Sequence, residues 1–538
     1  LPVNHVTFNK DIVKINGKFP NSEDKAAVKT NKNSRFQRSL ADPGEFTLTL
    51  ELVPSRGGRS TAHARALAFA RQAGDDGRLH AVSITENAGG HPALSPEVMG
   101  LEICKLGLDV IIHLSCKDKN RNQIESLLFA WDRVGLRNLL VITGDYPQRG
   151  YRGHPKPVFD LDAIQTLDLT SRLNCEHKGS DRRNPAIKKA VEPTSFCKGV
   201  AISPFKLQEA ELAMQYYKLH RKAAAGANYV ITQVGYDARK FDELLRYMRL
   251  NQIKLPTLGN VFIPTPTVAR MMRENLIPGV VLSDHYYAKM QEEFKEADRG
   301  RRKGLLRGAK LLCVQKGLGY AGAHIGGPNL TFAELDFLLN EAERMADDWP
   351  DFLPDFSCWP HDSYYFQPGG VSVLNDDTPM VGPKGVRSFH YAAANFIHEL
   401  AFVETGALYK AAQRLCRALD EGSGSRAFGT AEHLVKLMMF GCRNCGDCTL
   451  AELGFLCPQN GCAKYLLNGP CGGSRDGWCE VYPGRKKCLF VKVYERLKAV
   501  DRDSSYKDGF VPPRDWALHE TSSWINFFLN RDHTNLLK

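Results

Sequence analysis

From residue 46 to about residue 300, short apolar runs alternate with longer segments in which apolar residues recur every three or four positions. The runs fall at residues 46–53, 81–85, 109–114, 138–143, 199–203, 228–232, 256–263 and 279–283. Helix-length stretches such as 61–73, 120–134, 207–225 and 265–275 lie between them. Eight strand-like runs, each followed by a helix, predict an α/β fold of the (β/α)8 TIM-barrel type; doubly wound sheets usually hold about five or six strands. Residues 1–45 are polar and show little periodicity, which predicts an extended arm. Residues 331–347 and 388–420 predict helices, the first capped by Thr331, and the Pro-, Gly- and Asp-rich stretch 349–387 predicts loops. The expected organisation is an arm (1–45), a barrel (46–330), a helical connector (331–430), a cysteine-rich module (431–500) and a tail (501–538).

Composition narrows the class. The 538 residues are 43% hydrophobic and 24% charged, as in ordinary globular chains, and no apolar run reaches the ~18 residues of a membrane helix. The net charge of +11 is spread along the chain, which argues against a nucleic-acid partner; the densest basic group is Arg485-Lys486-Lys487. Eight of the 15 cysteines fall within residues 442–488. Secreted disulfide proteins do not concentrate thiols this way, so a reducing, cytoplasmic setting and a metal or cluster module are expected. Leu1 rather than Met opens the chain, and no signal-peptide core is legible in it.

Barrel chemistry sits at the C-terminal ends of strands. The first run ends Leu50-Glu51-Leu52-Val53-Pro54. Glu51 among apolar residues is expected to have a raised pKa and to act as a proton donor, or else to pair with an inner Arg or Lys. The second run leads to Thr85 and the pair Gly89-Gly90, expected to let the backbone approach a ligand. The third leads to His113, a lone histidine of the kind that is more often structural. The fourth ends Thr143-Gly144-Asp145 and the sixth Thr232-Gln233, whose amide can make a two-point hydrogen bond to a heterocycle. Lys222 lies on the helix before the sixth run. Together these suit a planar nitrogen heterocycle. Gly317-Leu-Gly319-Tyr-Ala-Gly322 spells G-x-G-x-x-G, but the following Ala323-His-Ile-Gly-Gly-Pro328 breaks a helix, so it is read as a structural turn.

Residues 46–54, 82–90, 113–116, 138–147, 159–165 and 226–237 resemble successive blocks of the methylenetetrahydrofolate reductase family, the run Gly226-Ala-Asn-Tyr-Val-Ile-Thr-Gln233 being the most specific. The resemblance implies a barrel bearing a flavin, FAD or FMN, that reduces a methylene-pterin to a methyl-pterin. It implies Glu51 as the general acid, Asp145 between flavin and pterin, Gln233 on the pterin, and Lys222, Thr85 and His113 on the flavin side, where Thr143 and Gly144 adjoin Asp145. Two blocks depart from the family pattern. Leu52-Val53-Pro54 replaces aromatic-Pro-Pro, and Ser203-Pro-Phe-Lys206 replaces a His-bearing block, which puts the electron donor in question.

The module reads Cys442-x2-Cys445-x2-Cys448-x8-Cys457-Pro458-x3-Cys462-x8-Cys471-x7-Cys479-x8-Cys488. The C-x2-C-x2-C triplet is the spacing that wraps a [4Fe–4S] cluster, and eight thiols allow two four-thiolate sites; structural zinc is the alternative. Asn468-Gly-Pro-Cys471-Gly-Gly and Gly477-Trp-Cys479-Glu resemble the cysteine-rich partner subunit of the acetogen-type enzyme, here fused behind the barrel. That resemblance implies electrons from carriers other than, or besides, NADH, with NAD(P)H as direct donor the alternative; the basic Arg485–Lys487 group beside Cys488 suggests an acidic, ferredoxin-like carrier. Tetrahydrofolate is the default pterin, and a homo-oligomer or larger redox complex is expected. A non-catalytic docking or electron-transfer scaffold is the competing reading, opposed by the joint presence of Glu51, Asp145 and Gln233.

Overall fold

The computed structural model describes residues 33–175, 192–357, 359, 363–369, 374–380, 382, 384–421 and 424–537, so residues 1–32 of the expected arm lie outside it. The apolar runs pair as a closed parallel barrel of β1 (Thr47–Leu52), β2 (Ala81–Ile84), β3 (Asp109–Ser115), β4 (Asn138–Ile142), β5 (Cys197–Ile202), β6 (Tyr229–Thr232), β7 (Thr257–Phe262) and β8 (Gly322–Gly326). β1 closes the ring, pairing with β2 on one side and β8 on the other.

One strand differs from expectation. The run at 279–283 is a buried loop: Val280, Val281 and Leu282 are apolar because they pack against the barrel, and β7 already has β6 and β8 as neighbours. The true eighth strand, Gly-Ala-His-Ile-Gly, has two glycines and one β-branched residue, and so reads as a turn. The glycine fingerprint before it runs from helix to strand, the reverse of a dinucleotide site: Gly319 is the left-handed C-cap of the preceding helix and Gly322 opens β8.

Helices α1 (Arg35–Ala41), α2 (Thr61–Asp76), α3 (Pro96–Cys104), α4 (Arg121–Arg133), α5 (Ala163–Asn174), α6 (Glu209–Ala224), α7 (Ala238–Leu250), α8 (Pro266–Arg273), α9 (Asp284–Glu293), α10 (Arg301–Leu318) and α11 (Phe332–Arg344) belong to the barrel. α11 starts at the expected Thr331 cap, which forms a capping box with Glu334. The expected arm is helical at its end. α1 sends the fully buried Phe36 into the floor of the barrel, edge-on to Tyr229 at 5.2 Å, among Ala81, Ile111, Leu140, Ile231 and Leu258. Gly199 makes this possible, since a Cβ there would lie 2.2 Å from the Tyr229 ring. The floor is thus packed shut, and polar inward residues are left to the opposite, C-terminal end.

The connector holds a two-stranded pair, β9 (Phe366–Pro368) with β10 (Asn375–Pro379), then α12 (Phe389–Ala401), α13 (Tyr409–Glu421) and α14 (Ser425–Phe440). The module and tail add α15 (Pro458–Gly461), α16 (Leu489–Lys498) and α17 (Ser523–Phe528). Asp162, whose Oδ1 caps α5, also accepts from Asn468 N (2.8 Å) and Nδ2 (3.0 Å) through Oδ2. Gln165 Nε2 donates to Val511 O (2.9 Å), and the Arg221 guanidinium lies over the Tyr506 ring at 3.7 Å. The module therefore packs against α5 and α6 rather than hanging from a linker. Among the described residues no helix is long and apolar enough to cross a membrane.

Candidate active site and cysteine sites

Strand alternation sends Thr49 and Glu51 of β1, Ser83 of β2, His113 of β3 and His324 of β8 into the barrel mouth. Glu51 is 28% exposed because it looks up the open end, whereas His324 beside it is 3% exposed, with Nε2 at 3.9 Å from the Glu51 carboxylate. Thr49 Oγ1 lies 2.8 Å from His324 Nδ1 and 3.4 Å from Ala323 O, and His324 Nε2 is the nitrogen turned to Glu51. His113 Nε2 is 2.6 Å from Ser83 Oγ. Burial pushes the Glu51 pKa up, but the interaction with His324 outweighs it, and the carboxyl ends below its ordinary value. The expected raised pKa is thus corrected: the inner partner is a histidine from the strand that the sequence pattern hides. Burial also holds His113 down at about 4, so it is neutral at pH 7.

The other expected rim residues are placed unevenly. Asp145 Oδ2 accepts from Gly89 N at 2.8 Å. Gly90 packs so closely under this loop that a Cβ would meet Tyr146 O at 2.3 Å; the glycine pair therefore admits the Asp145 loop, where approach to a ligand was expected. Gly144 has φ 86°, and a Cβ there would strike Ser115 Oγ at 2.1 Å. Thr143 is buried beside it. Thr85 is buried with its Oγ1 lacking a hydrogen-bond partner, as is Asn260 Oδ1 on β7. Such orphan atoms suit a polar ligand. Gln233 Oε1 accepts from Val234 N (2.9 Å). Lys222 is buried with its ammonium on the Ala201 carbonyl, one residue before the end of β5, and burial drives its pKa well down.

Residues the sequence did not single out complete the mouth. Thr49, Ser83, Asn260 and His324 are inward strand residues, visible only once strand phase and the position of β8 are known. Glu86 and Lys119 form a buried ion pair beneath the β2 and β3 ends, with Ser115 N donating to Glu86 Oε2 at 2.8 Å. The atypical block Ser203–Lys206 has a structural role: Lys206, 1% exposed, donates to Ser474 O (2.7 Å) and to Gly472 O of the cysteine module. A Cβ on Gly279 would lie 3.1 Å from Gly472 O and 3.2 Å from Gln233 Nε2, so module and barrel rim meet at this point.

The cysteines divide by cavity. Cys442, Cys445, Cys448 and Cys457 line one, and Cys462, Cys471, Cys479 and Cys488 line another. Electrostatic neighbours follow the same division: Cys442 feels Cys448 and Cys457, and Cys488 feels Cys462 and Cys479. All eight are free thiols. Among the described residues the one group of metal-ligand side chains closing within 4.8 Å is Asp447, Asp532 and His533, without a cysteine. That group is an ion-pair knot. Burial opposes charge on His533, but Asp447 and Glu452 raise its pKa to about 10, so a cation already fills the position.

Comparison with known proteins agrees with this architecture. The family described as methylenetetrahydrofolate reductase matches residues 35–305, just over half of the chain, and the one described as methylene-tetrahydrofolate reductase C terminal matches residues 423–517. Methylenetetrahydrofolate reductase 1 of Schizosaccharomyces pombe is 24% identical over 247 residues, 44% of this chain and 36% of that protein. Methylenetetrahydrofolate reductase 2 of Saccharomyces cerevisiae is 23% identical over 216 residues, 39% and 32% of the two chains. The chain thus spans about a third of the length of these curated relatives. A solved Clostridium thermocellum protein, described as binding two copies of 5-methyl-5,6,7,8-tetrahydrofolic acid, aligns over 59% of this chain and 100% of its own with a TM-score of 0.40 and 12% identity, a likeness too distant to carry an argument. The chain belongs to the methylenetetrahydrofolate reductase family.

Proposed function

We propose that the chain reduces a 5,10-methylene-tetrahydropterin, tetrahydrofolate by default, to its 5-methyl form. The observation that carries this reading is the Glu51–His324–Thr49 line in the mouth of a barrel whose rim also presents Asp145 and Gln233. Thr85, His113, Thr143 and Gly144 would hold a flavin there, FAD or FMN, and the orphan Thr85 Oγ1 supports that fit. A bound flavin supplies the hydride.

The chain's own residues bind and protonate. Gln233 offers an amide to the pterin edge. Glu51 delivers a proton to the departing nitrogen of the imidazolidine ring, opening it to an iminium ion, which the Asp145 carboxylate stabilises. His324, whose Nε2 stands 3.9 Å from the Glu51 carboxylate and whose Nδ1 meets Thr49, positions that carboxylate in the mouth. A stacked substrate would cover the mouth and strengthen the burial that raises the Glu51 pKa. The test is Glu51→Gln: pterin reduction should fall by about 10²–10⁴, the range for a lost general acid, while flavin binding survives. Full reduction by this variant would end the acid assignment.

The two cysteine sets are read as two [4Fe–4S] sites. The C-x2-C-x2-C triplet supports this for the first set, and the four thiols lining the second cavity offer the ligands for another. Clusters held there would supply electrons to the barrel from a ferredoxin-like carrier. Arg485 and Lys487, exposed beside Cys488, suit an acidic carrier, whereas the Lys486 ammonium is held on Asn460 O.

A further inference from the structure

Resting on the pterin-site reading above, we propose that Lys464 of the cysteine module is a positioning residue of the barrel site, fixing the Gly144–Asp145 turn from outside the barrel. Lys464 lies two residues after Cys462 and lines the cavity of the second cysteine set. It is 3% exposed, an unusual state for a lysine, which is seldom fully buried unless paired. Its ammonium is paired with Glu480, the residue after Cys479, and donates to the Gly144 carbonyl at 2.7 Å. It also stands in the field of Asp145 and 5.8 Å from the centre of the Phe159 ring.

These contacts form one continuous structure. Gly144 needs its left-handed conformation and has no room for a side chain, so the turn has little freedom in the backbone. From inside the barrel, Gly89 N holds the Asp145 carboxylate; from the module, Lys464 holds the carbonyl one residue earlier. The pair fixes the carboxylate that must face the pterin. Lys206 and Lys218 anchor the same module loop, through Ser474 O at 2.7 Å and Pro470 O at 2.8 Å. Those two hold the module to the barrel, whereas Lys464 reaches the turn that bears Asp145.

The experiment compares the full-length protein with Lys464→Gln and Lys464→Arg, using calorimetric binding of 5-methyltetrahydrofolate, the KM–kcat split, melting temperature and iron content. In Lys464→Gln, binding should weaken at least tenfold and KM rise, with iron content kept. In Lys464→Arg, which keeps a charged donor, binding should recover at least threefold relative to Gln. Lys436→Met, at the equally buried lysine of the other cysteine set, should leave 5-methyltetrahydrofolate binding within twofold of the parent. Equal binding by the parent and a folded Lys464→Gln would overturn the proposal alone. Failure of both Lys464 variants to fold would overturn it in favour of a purely structural pair. Absence of binding by the parent would overturn the pterin reading and the proposal with it.

Discussion

Each cysteine set has a buried lysine–glutamate pair in its wall, Lys436–Glu432 at the first and Lys464–Glu480 at the second, yet the two lysines face different neighbours. Lys436 gives its further bond to Ser523 Oγ of α17 at 2.6 Å, and Lys464 to Gly144 O of the barrel at 2.7 Å. The first set adjoins a cavity of about 210 Å³ lined by Phe402, Phe440, Phe455, Trp524 and Phe527, on the side where α12 and α14 expose Phe396, Ile397 and Met438. The second set lies against the barrel through Lys206, Lys218 and Lys464. Similar chemistry is thus built once toward the helical connector and tail and once into the rim of the proposed active site. Placement, more than composition, separates their roles.

The largest expected effect breaks one set at a time. Cys448→Ser and Cys471→Ser should each remove about half of the iron, as expected when each set holds one four-thiolate cluster. Both should lose turnover driven by an external carrier. Only Cys471→Ser should also weaken 5-methyltetrahydrofolate binding, because its loop rests on Lys218 and Lys206. Loss of all iron from either single change would contradict the division into two sets.

Next in size is the first buried pair. Glu432→Gln leaves Lys436 buried without its counter-charge, which should cost about 3–5 kcal/mol of stability, read as a lower melting temperature, with pterin binding unchanged. A change in pterin affinity would blur the contrast drawn between the two sets.

The barrel mouth should respond to acid in its own way. The folded pKa of His113 is depressed to about 4, so between about pH 6.5 and 4 the unfolded chain takes up a proton that the folded chain does not. Stability should therefore fall as pH drops through that window, by about 3 kcal/mol at 1.36 kcal/mol per unit, and His113→Gln should remove this part of the loss. Urea melts at a series of pH values would show it. The smallest effect expected is at the surface: Arg485/Lys487→Glu should lower the rate with an acidic carrier and flatten its salt dependence. An unchanged salt profile would place carrier docking elsewhere.

Much of the barrel is legible in the sequence because seven strands are apolar runs bounded by amphipathic helices. The eighth is not, since a strand of Gly-Ala-His-Ile-Gly carries little β signal, while the apolar loop at 279–283 imitates one. Missing β8 also hid His324, and with it the reason that Glu51 is held below its ordinary pKa. Phe36 was lost in an apparently featureless arm because a helix of seven residues shows too little periodicity. The cysteine spacing announces the module but cannot divide it, since the eight thiols alone permit many groupings. Lys464 and Gly144 are 320 residues apart, and no local pattern signals that contact.

The most direct test of the account is the visible spectrum and metal content of anaerobically purified protein. The account predicts flavin absorbance together with a broad iron–sulfur band, iron in both cysteine sets, bleaching by dithionite and recovery on adding methylenetetrahydrofolate. A yellow protein with zinc and no iron would contradict the cluster reading, and a colourless protein would contradict the flavin site as well.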